Sequence, residues 1–517
     1  MYLLANFWNK FLATIKPVHT SIPWYVLMAI FFALGVFLTT YKLTETPPTW
    51  MDEGIIIQNA RNLWLYGSVV LQNAPGVFES GWYVTTSYTV TFPIAVFFEV
   101  FGYSLGAARS VMAIYIVLTI AGIGLLVGAL SNFYTVSVRY MSLVTLALVV
   151  TFAPLYGHGK NVLGEVPGIF WLVVSALFGL LSLQKLKIWQ QNAFVVLAGC
   201  ALGLSIATKP IYILAAFACI AGGIAFVLYE WYRVRQSNCS SIARYTIYIL
   251  IGSVPPVFGW FVHQFGHQSI ARAVVEHYAN PHHNELGSAI ISNLTLFITE
   301  IQPMHTAFFV GIWTIGLVIL FVNKKTISLV EFIAWFLSIG TILAFLRTAG
   351  YYRYFFTAQF IALIFAALSF DRLGNHFFQT GKSNFIKLSY CIRYALPIFI
   401  VGAQMYYLMS YSWIQAYKDS TRSAELNSWA QQLPKDSTVF LYQTPEVATF
   451  LGDRDYYQYM KITPVLIVGT DSGAYIQRGE ADYLVLPQGA SSTVSALIYA
   501  PYIFDKNINR YEIWKLR

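Results

Sequence analysis

The sequence predicts a polytopic α-helical membrane protein of about eleven crossings, with interfacial helices in its first loop and a small C-terminal α/β domain. Three observations carry that prediction. Of 517 residues, 57% are hydrophobic and only 11% are charged, with a mean hydropathy of +0.58, whereas about a quarter of a soluble domain is charged. Apolar runs long enough to cross a bilayer recur from Pro23 to Tyr411. Beyond Tyr411 the chain switches to short β-type runs bounded by Pro, Gly and Asp.

The N-terminal stretch carries Lys10 and Lys16 ahead of an apolar segment at 23–40. That segment is too long for a signal-peptide core and lacks a small-residue cleavage site, so it reads as an uncleaved first span with a cytoplasmic N-terminus. Further spans are predicted at 110–130, 140–157, 165–183, 192–208, 210–229, 243–262, 306–322, 328–346, 354–370 and 388–411. The basic residues Arg139, Lys185, Lys187, Arg233, Arg235, Arg244, Lys324, Lys325, Arg372, Lys382 and Lys387 then fall in loops that are cytoplasmic together. This holds only if the run YVTTSYTVTFPIAVFFEVFG at 83–102 makes no net crossing. Its threonines, Pro93 and Glu99 suit an interfacial or re-entrant segment. With that parity, 42–108, GHGKNVLGE, TKP, 263–305, RTAGYYRY and everything after Tyr411 share the outer face. The expected division is a membrane module at 1–411, with its first outer loop at 42–108, and an extracytoplasmic α/β domain at 412–517.

In that last segment STVFLYQ, TPVLIVG, ADYLVLP and RYEIWKLR read as strands, and TPEVATFLG has helix-start chemistry. The net charge of +9 is accounted for by loop lysines and arginines beside apolar runs, so a nucleic-acid partner is not expected. The four cysteines, Cys200, Cys219, Cys239 and Cys391, have neither disulfide-framework nor zinc-site spacing. Glycine-rich phosphate loops and HExxH stretches are also missing.

The stretch TPPTWMDEG places two adjacent acids at the edge of the first span. After its two prolines, Thr49 is expected to cap a helix running to about Tyr66, with Asp52 completing an approximate capping box. On a helical wheel Ile56, Ile57, Ala60, Leu63 and Trp64 form an apolar arc, and Gln58, Asn59, Arg61 and Asn62 a polar one. The helix therefore reads as lying on the membrane. Asp52 falls at the boundary between the arcs, but Glu53 falls inside the apolar one, where a charge is costly unless partnered.

The bland reading is that both acids complement the helix dipole. Their company favours a functional one. Outer segments also present His158, Lys160, Glu165, Lys209, Arg347 and Arg353, several cations and carboxylates that suit an anionic ligand and acid–base chemistry. The histidine-rich loop at 263–305, with His277 inside EHYANPHH, lacks regular metal-ligand spacing and reads as a polar cover over the site. A divalent ion on Asp52 or Glu53 is left open.

In order and parity these segments resemble the GT-C-fold glycosyltransferases that use polyprenyl-phosphate-linked sugars, in the branch of protein O-mannosyltransferases and aminoarabinose transferases. The resemblance rests on MDEG after the first span, VTTSYTVTFPIAVFFEVFGYSLGAARS, KNVLGEVP, LGLSIATKP and YYRYFFT. It implies Asp52 as catalytic base with Glu53 its neighbour, and Glu165 as a second acid orienting base or acceptor. An aminoarabinose transferase would carry arginine three residues after the aspartate, and no WWD motif of oligosaccharyltransferases is present. The acceptor class, whether lipid, glycan or protein, is therefore not carried over.

A carboxylate that deprotonates an acceptor hydroxyl and cations that stabilise a departing polyprenyl phosphate would together perform an inverting transfer. Arg353 and Arg347 are the first choices for the phosphate and Lys160 the next, with His158, Lys209 and His277 in contact with substrate. The plasma membrane of a prokaryote is the expected location. A transporter or flippase of a lipid-linked sugar is the rival, but it would place ionisable residues in mid-span and build two similar halves.

Overall fold

The computed structural model describes residues 22–81, 86–184, 186–234, 239–265, 285–379, 383–416, 418, 420–461, 467–469, 479–490 and 501–517. In chain order the first helices are α1 (Ile22–Thr40), α2 (Met51–Tyr66), α3 (Tyr88–Phe101), α4 (Leu105–Tyr134), α5 (Val138–Val150), α6 (Ala153–Gly159), α7 (Glu165–Ser182) and α8 (Ile188–Thr208). They are followed by α9 (Ile213–Val234), α10 (Cys239–Phe265), α11 (Leu286–Thr299), α12 (Ile301–Val322), α13 (Leu329–Phe345) and α14 (Phe356–Gln379). Then come α15 (Ser383–Tyr390) and α16 (Leu396–Ser410), continuous through a π-turn at Cys391–Ala395, and α17 (Arg422–Gln432).

Among the described residues 8 helices are long and apolar enough to cross a membrane, or 9 if the bent pair α5–α6 forms one span. The shorter apolar helices α1 and α13 coincide with the remaining predicted crossings. This is a multi-pass membrane protein. Helix α3 has 14 residues, about 21 Å of rise, which falls short of a hydrocarbon core of about 30 Å.

Two features shape the bundle. Helix α14 forms its axis, with 94% of its apolar window buried. Helices α8 and α10 meet backbone to backbone, because a Cβ on Gly199 would lie 2.2 Å from the Ile249 carbonyl and one on Gly203 2.5 Å from that of Ser253. Glycines four apart make that approach possible in lipid, where dispersion replaces the hydrophobic effect between helices.

At one end of the bundle Arg372 forks onto Glu331 at 2.6 and 2.8 Å, and Trp313 Nε1 donates to the same carboxylate at 2.9 Å. Both side chains are buried. This corrects one expectation: Arg372 is not a loop charge, since α14 continues through it and encloses it.

The chain ends in a six-stranded sheet of order β5-β4-β3-β6-β8-β7, comprising β3 (Val439–Tyr442), β4 (Tyr456–Lys461), β5 (Ile467–Val468), β6 (Tyr483–Pro487), β7 (Tyr502–Ile508) and β8 (Tyr511–Leu516). The central pairs β3–β4 and β3–β6 are parallel and the outer pairs antiparallel. Three of the predicted strands, STVFLYQ, ADYLVLP and RYEIWKLR, are present, of TPVLIVG only residues 467–469 are described and Ile467–Val468 is strand, and TPEVATFLG becomes a 3₁₀ helix at Pro445–Phe450. An unpredicted hairpin, β1 (Val70–Ala74) with β2 (Val77–Ser80), joins the membrane part to this sheet. Gln72 Nε2 donates to Tyr456 O at 3.0 Å.

Helix α2 does not lie open on a membrane surface. Residues Glu53 to Asn62 are all buried, because the polar arc meets the C-terminal sheet. Gln58 Nε2 donates to Pro445 O at 2.9 Å, and Gln58 Oε1 accepts from Gln458 and from the Tyr456 hydroxyl at 3.0 and 3.1 Å. A Cβ on Gly54 would lie 2.3 Å from Glu446 Cα, so only glycine permits this approach.

Candidate active site

The loop before α2 places the two acids in different surroundings. The predicted Thr49 cap does not form. Trp50 is the N-cap residue and makes no side-chain cap bond, while the Thr49 carbonyl accepts from Arg510 at 2.8 Å. Asp52, freed from capping duty and 42% exposed, receives Arg353 Nη1 at 2.7 Å from 301 residues away.

Glu53, one residue on, points into the bundle. Its carboxylate takes Arg109 Nε and Nη2 at 2.8 and 2.7 Å and the Val162 amide at 3.0 Å. Arg109 also donates to the carbonyls of Leu43 and Pro47 at 2.8 Å each, and to Asn161 Oδ1 at 2.9 Å. Both members of the pair are fully buried. A charge in the apolar arc is tolerated because every guanidinium nitrogen and both carboxylate oxygens are engaged. Glu53 thus anchors α2 to α4 and leaves Asp52 alone on the accessible side.

Arg353 sits in a 3₁₀ turn, Tyr352–Tyr354, between α13 and α14. Its guanidinium lies over Trp50 at 4.8 Å, Tyr354 at 5.3 Å and Tyr351 at 5.8 Å, which fixes the fork by cation–π contact. Burial opposes its charge, but Asp52 and Glu165 more than offset this and hold its pKa above the usual arginine range. Glu165 opens α7 and pairs with Lys209 at the end of α8. Gly164, whose Cβ would stand 3.1 Å from that of Lys209, and Gly168, against the Tyr212 ring, make this proximity possible. His158 closes the group, within electrostatic range of Glu165, Arg353 and Lys209, and its ring meets Phe356 edge-on at 5.2 Å.

Asp52, Arg353, Glu165, Lys209 and His158 therefore share one crevice. Among the described residues Glu165 Oε2, Arg353 Nε and Trp50 Nε1 are buried without a hydrogen-bond partner. Orphan polar atoms of both signs in one buried place are costly unless something else engages them.

Other predicted residues lie elsewhere. Lys160 is buried, donates to Tyr41 O at 2.6 Å and stands beside Arg109, not Arg353. Burial and the Arg109 charge pull its pKa down to about 7. Arg347 is exposed just past α13, in a loop that Asn293 holds through the Leu346 and Thr348 carbonyls. His277 and EHYANPHH lie outside the described residues. Among the described residues no three His, Cys, Asp or Glu side chains converge as metal ligands, and Glu53 is committed to Arg109.

Sequence reasoning missed Arg109, Trp50 and the pair Glu446–Arg510. Arg510 Nη2 joins Glu446 Oε1 at 2.7 Å, and the Tyr511 hydroxyl donates to the same oxygen at 2.8 Å. Burial raises the Glu446 pKa, and Arg510 opposes this in part. Beside Glu53 in its apolar arc, the isolated arginine in GAARS, entering a long span, was the signal that a buried pair was needed.

No family model and no curated protein matches the chain. Solved structures do. ArnT from Cupriavidus metallidurans bound to undecaprenyl phosphate aligns at a TM-score of 0.62 and 13% identity, over 96% of this chain and 98% of that one. Its apo form gives 0.63 at 13% identity, over 95% and 97%. The apo oligosaccharyltransferase from Archaeoglobus fulgidus gives 0.56 at 11% identity, over 95% of this chain and 74% of that one. At such identities the likeness is one of architecture, and over nearly its whole length the chain has the GT-C fold that ArnT and the oligosaccharyltransferase share.

Proposed function

We propose that the chain is a glycosyltransferase that moves a sugar from a polyprenyl-phosphate-linked donor to a hydroxyl acceptor, with inversion and with Asp52 as base. The observation that carries this reading is the crevice in which the accessible Asp52 meets Arg353 beside Glu165, Lys209 and His158. The bound undecaprenyl phosphate of the ArnT structure supports the donor class.

In the resting state Arg353 neutralises Asp52. A phosphate entering the crevice draws off the guanidinium, whose unpartnered Nε and fork suit its oxygens. Asp52 is then free to accept a proton. The acceptor oxygen attacks the anomeric carbon as its proton passes to Asp52, and the bond from that carbon to the phosphate oxygen breaks. The departing polyprenyl phosphate carries the electron pair and gains negative charge, which Arg353 and Lys209 stabilise. One base suffices, because a single displacement needs no glycosyl-enzyme intermediate. Glu165 orients Lys209 and, through Oε2, a substrate hydroxyl. Glu53 acts by holding α2 in place.

The same geometry favours an outer-face site in a plasma membrane. Helix α8 has Lys209 at its site end and Lys187 at the other, α5 begins at Arg139, and α12 ends before Lys324 and Lys325. Basic residues therefore gather at the end away from the crevice, which the positive-inside rule assigns to the cytoplasm. The segment 412–517 then stands outside as an extracytoplasmic unit, with the donor reached laterally from the bilayer.

The test is turnover of a polyprenyl-phosphate sugar by purified protein in liposomes. Asp52→Asn should lower sugar release at least about a hundredfold while leaving thermal unfolding near that of the parent. Movement of the donor across the bilayer without cleavage, unaffected by Asp52→Asn, would instead establish the flippase reading.

A further inference from the structure

A second cavity, of about 430 Å³, lies behind the crevice, between the α5–α6 break and helices α12, α14 and α16. Its walls are largely apolar: Phe152, Phe308, Phe309, Leu396, Phe399 and Ile400. Set into them are Gln302, His305, Gln359, Gln404 and Thr151. The Gln404 amide bridges Thr151 at 2.7 Å and His305 at 2.9 Å. Phe152 lies parallel to both His305 and Phe356, with ring centres 5.6 and 6.2 Å away. Phe356 in turn meets His158, so one aromatic wall separates the cavity from the crevice.

We infer that this cavity binds a neutral, hydroxyl-bearing membrane lipid. Three observations fix the ligand class. Gln302 Oε1 and Gln359 Oε1 are buried without a hydrogen-bond partner among the described residues, and Gln359 is 1% exposed. The Gln359 amide is oriented by donation from Nε2 to Gln302 O at 3.3 Å, so what the site lacks is a donor such as a hydroxyl. Two unmet acceptors in an apolar wall are expensive to leave empty-handed. Second, the described lining holds no Asp, Glu, Lys or Arg, and a phosphate or an ammonium group would be stranded there without a counter-charge. Third, Met304, Phe308 and Phe399 are exposed on helices that span the membrane, so the mouth opens to acyl chains rather than to water. The volume lies within the range of small-ligand pockets, about 300–1,000 Å³. The inference does not depend on the transfer chemistry, because no residue of the crevice lines this cavity.

The test uses the full chain in phosphatidylcholine liposomes and a diacylglycerol carrying an aliphatic diazirine in one chain. Irradiation should label α12 and α16 around Phe308 and Phe399. Unlabelled dioleoylglycerol should compete, while its acetylated form, which has no donor, and dioleoyl phosphatidate should not. Gln302→Leu with Gln359→Leu should weaken labelling by at least about fivefold, the equivalent of one lost hydrogen bond. Ala403→Trp, which fills the cavity, should abolish it with unfolding temperature unchanged. Equal competition by the acetylated lipid or by phosphatidate, or labelling that survives Ala403→Trp in a folded protein, would overturn the assignment.

Discussion

Replacing Arg109 with methionine removes one half of a fully buried ion pair and should be among the most damaging single changes to this fold. Glu53 would keep only the Val162 amide at 3.0 Å, leaving a carboxylate with no counter-charge among residues that are 0% exposed. Breaking such a pair costs about 3–5 kcal/mol. The carbonyls of Leu43 and Pro47 also lose their donor, at about 1 kcal/mol each. Glu53→Leu alone should cost a similar amount, because Arg109 then becomes the unmatched charge. In the double variant Arg109→Met/Glu53→Leu neither ion remains, and only the freed carbonyls, Asn161 and the Val162 amide are unsatisfied. Its loss should fall short of the sum of the singles by about 3 kcal/mol or more. Equilibrium unfolding in mixed micelles measures the cycle, and donor turnover gives an independent readout. If Glu53 is an anchor, the double variant recovers activity as it recovers stability. Additive losses, or a stable double variant that is as inactive as Asp52→Asn, would refute the anchor reading and return Glu53 to the chemistry.

Gly54→Ala should loosen the C-terminal sheet from α2, since the new methyl would lie 2.3 Å from Glu446 Cα. A loss of about 3 kcal/mol and new protease cleavage near 412–438 are the expected results, read by thermal unfolding and limited proteolysis. Arg510→Met should make stability fall more steeply than in the parent as pH rises. Burial raises the folded-state pKa of Glu446, and without Arg510 only the Tyr511 hydroxyl and a backbone amide oppose it, so the stabilising increment is present below the unfolded carboxyl pKa and lost as pH climbs through the folded one. Unfolding temperatures measured from pH 4.5 to pH 8 would show the slope. Lys160→Met should flatten the opposite dependence. The folded-state pKa of Lys160 is held at about 7, so the unfolded chain binds the extra proton between there and the ordinary lysine value. Parent stability therefore rises with pH across that window, and the variant should lack that rise.

Much of this architecture was legible because hydropathy reports burial in lipid directly. Each predicted span has a helix, and the loop parity that kept 83–102 from crossing agrees with a helix of 14 residues. STVFLYQ, ADYLVLP and RYEIWKLR read as strands because their apolar residues are continuous or alternate. YYQYMK did not, since Gln458 looks like a surface residue until it is seen bonded to Gln58 and to Gln72 O. The polar arc of α2 misled for the same reason. A helical wheel separates polar from apolar, but cannot say whether the polar side meets water or the amides of a segment nearly 400 residues away. Asp52 and Arg353, both expected beside apolar runs on one face, do meet. The partner of Glu53 was not found, since one arginine entering a span has many possible mates in sequence and only one in space. Thr49 failed as a cap because the helix starts one residue later than expected, with Trp50 in the N-cap position.

The seating of α2 against the sheet has a consequence for how the protein matures. Gln58 finds its partners Tyr456 and Gln458 only in β4, and Thr49 O finds Arg510 only just before β8. A ribosome that has delivered every hydrophobic segment has therefore still not delivered the neighbours that bury the amphipathic helix behind Asp52. Bilayer insertion and completion of the crevice are separate milestones for this chain. The second waits on the final strands, and a prematurely released polypeptide would be inserted in the membrane with the polar arc of α2 uncovered.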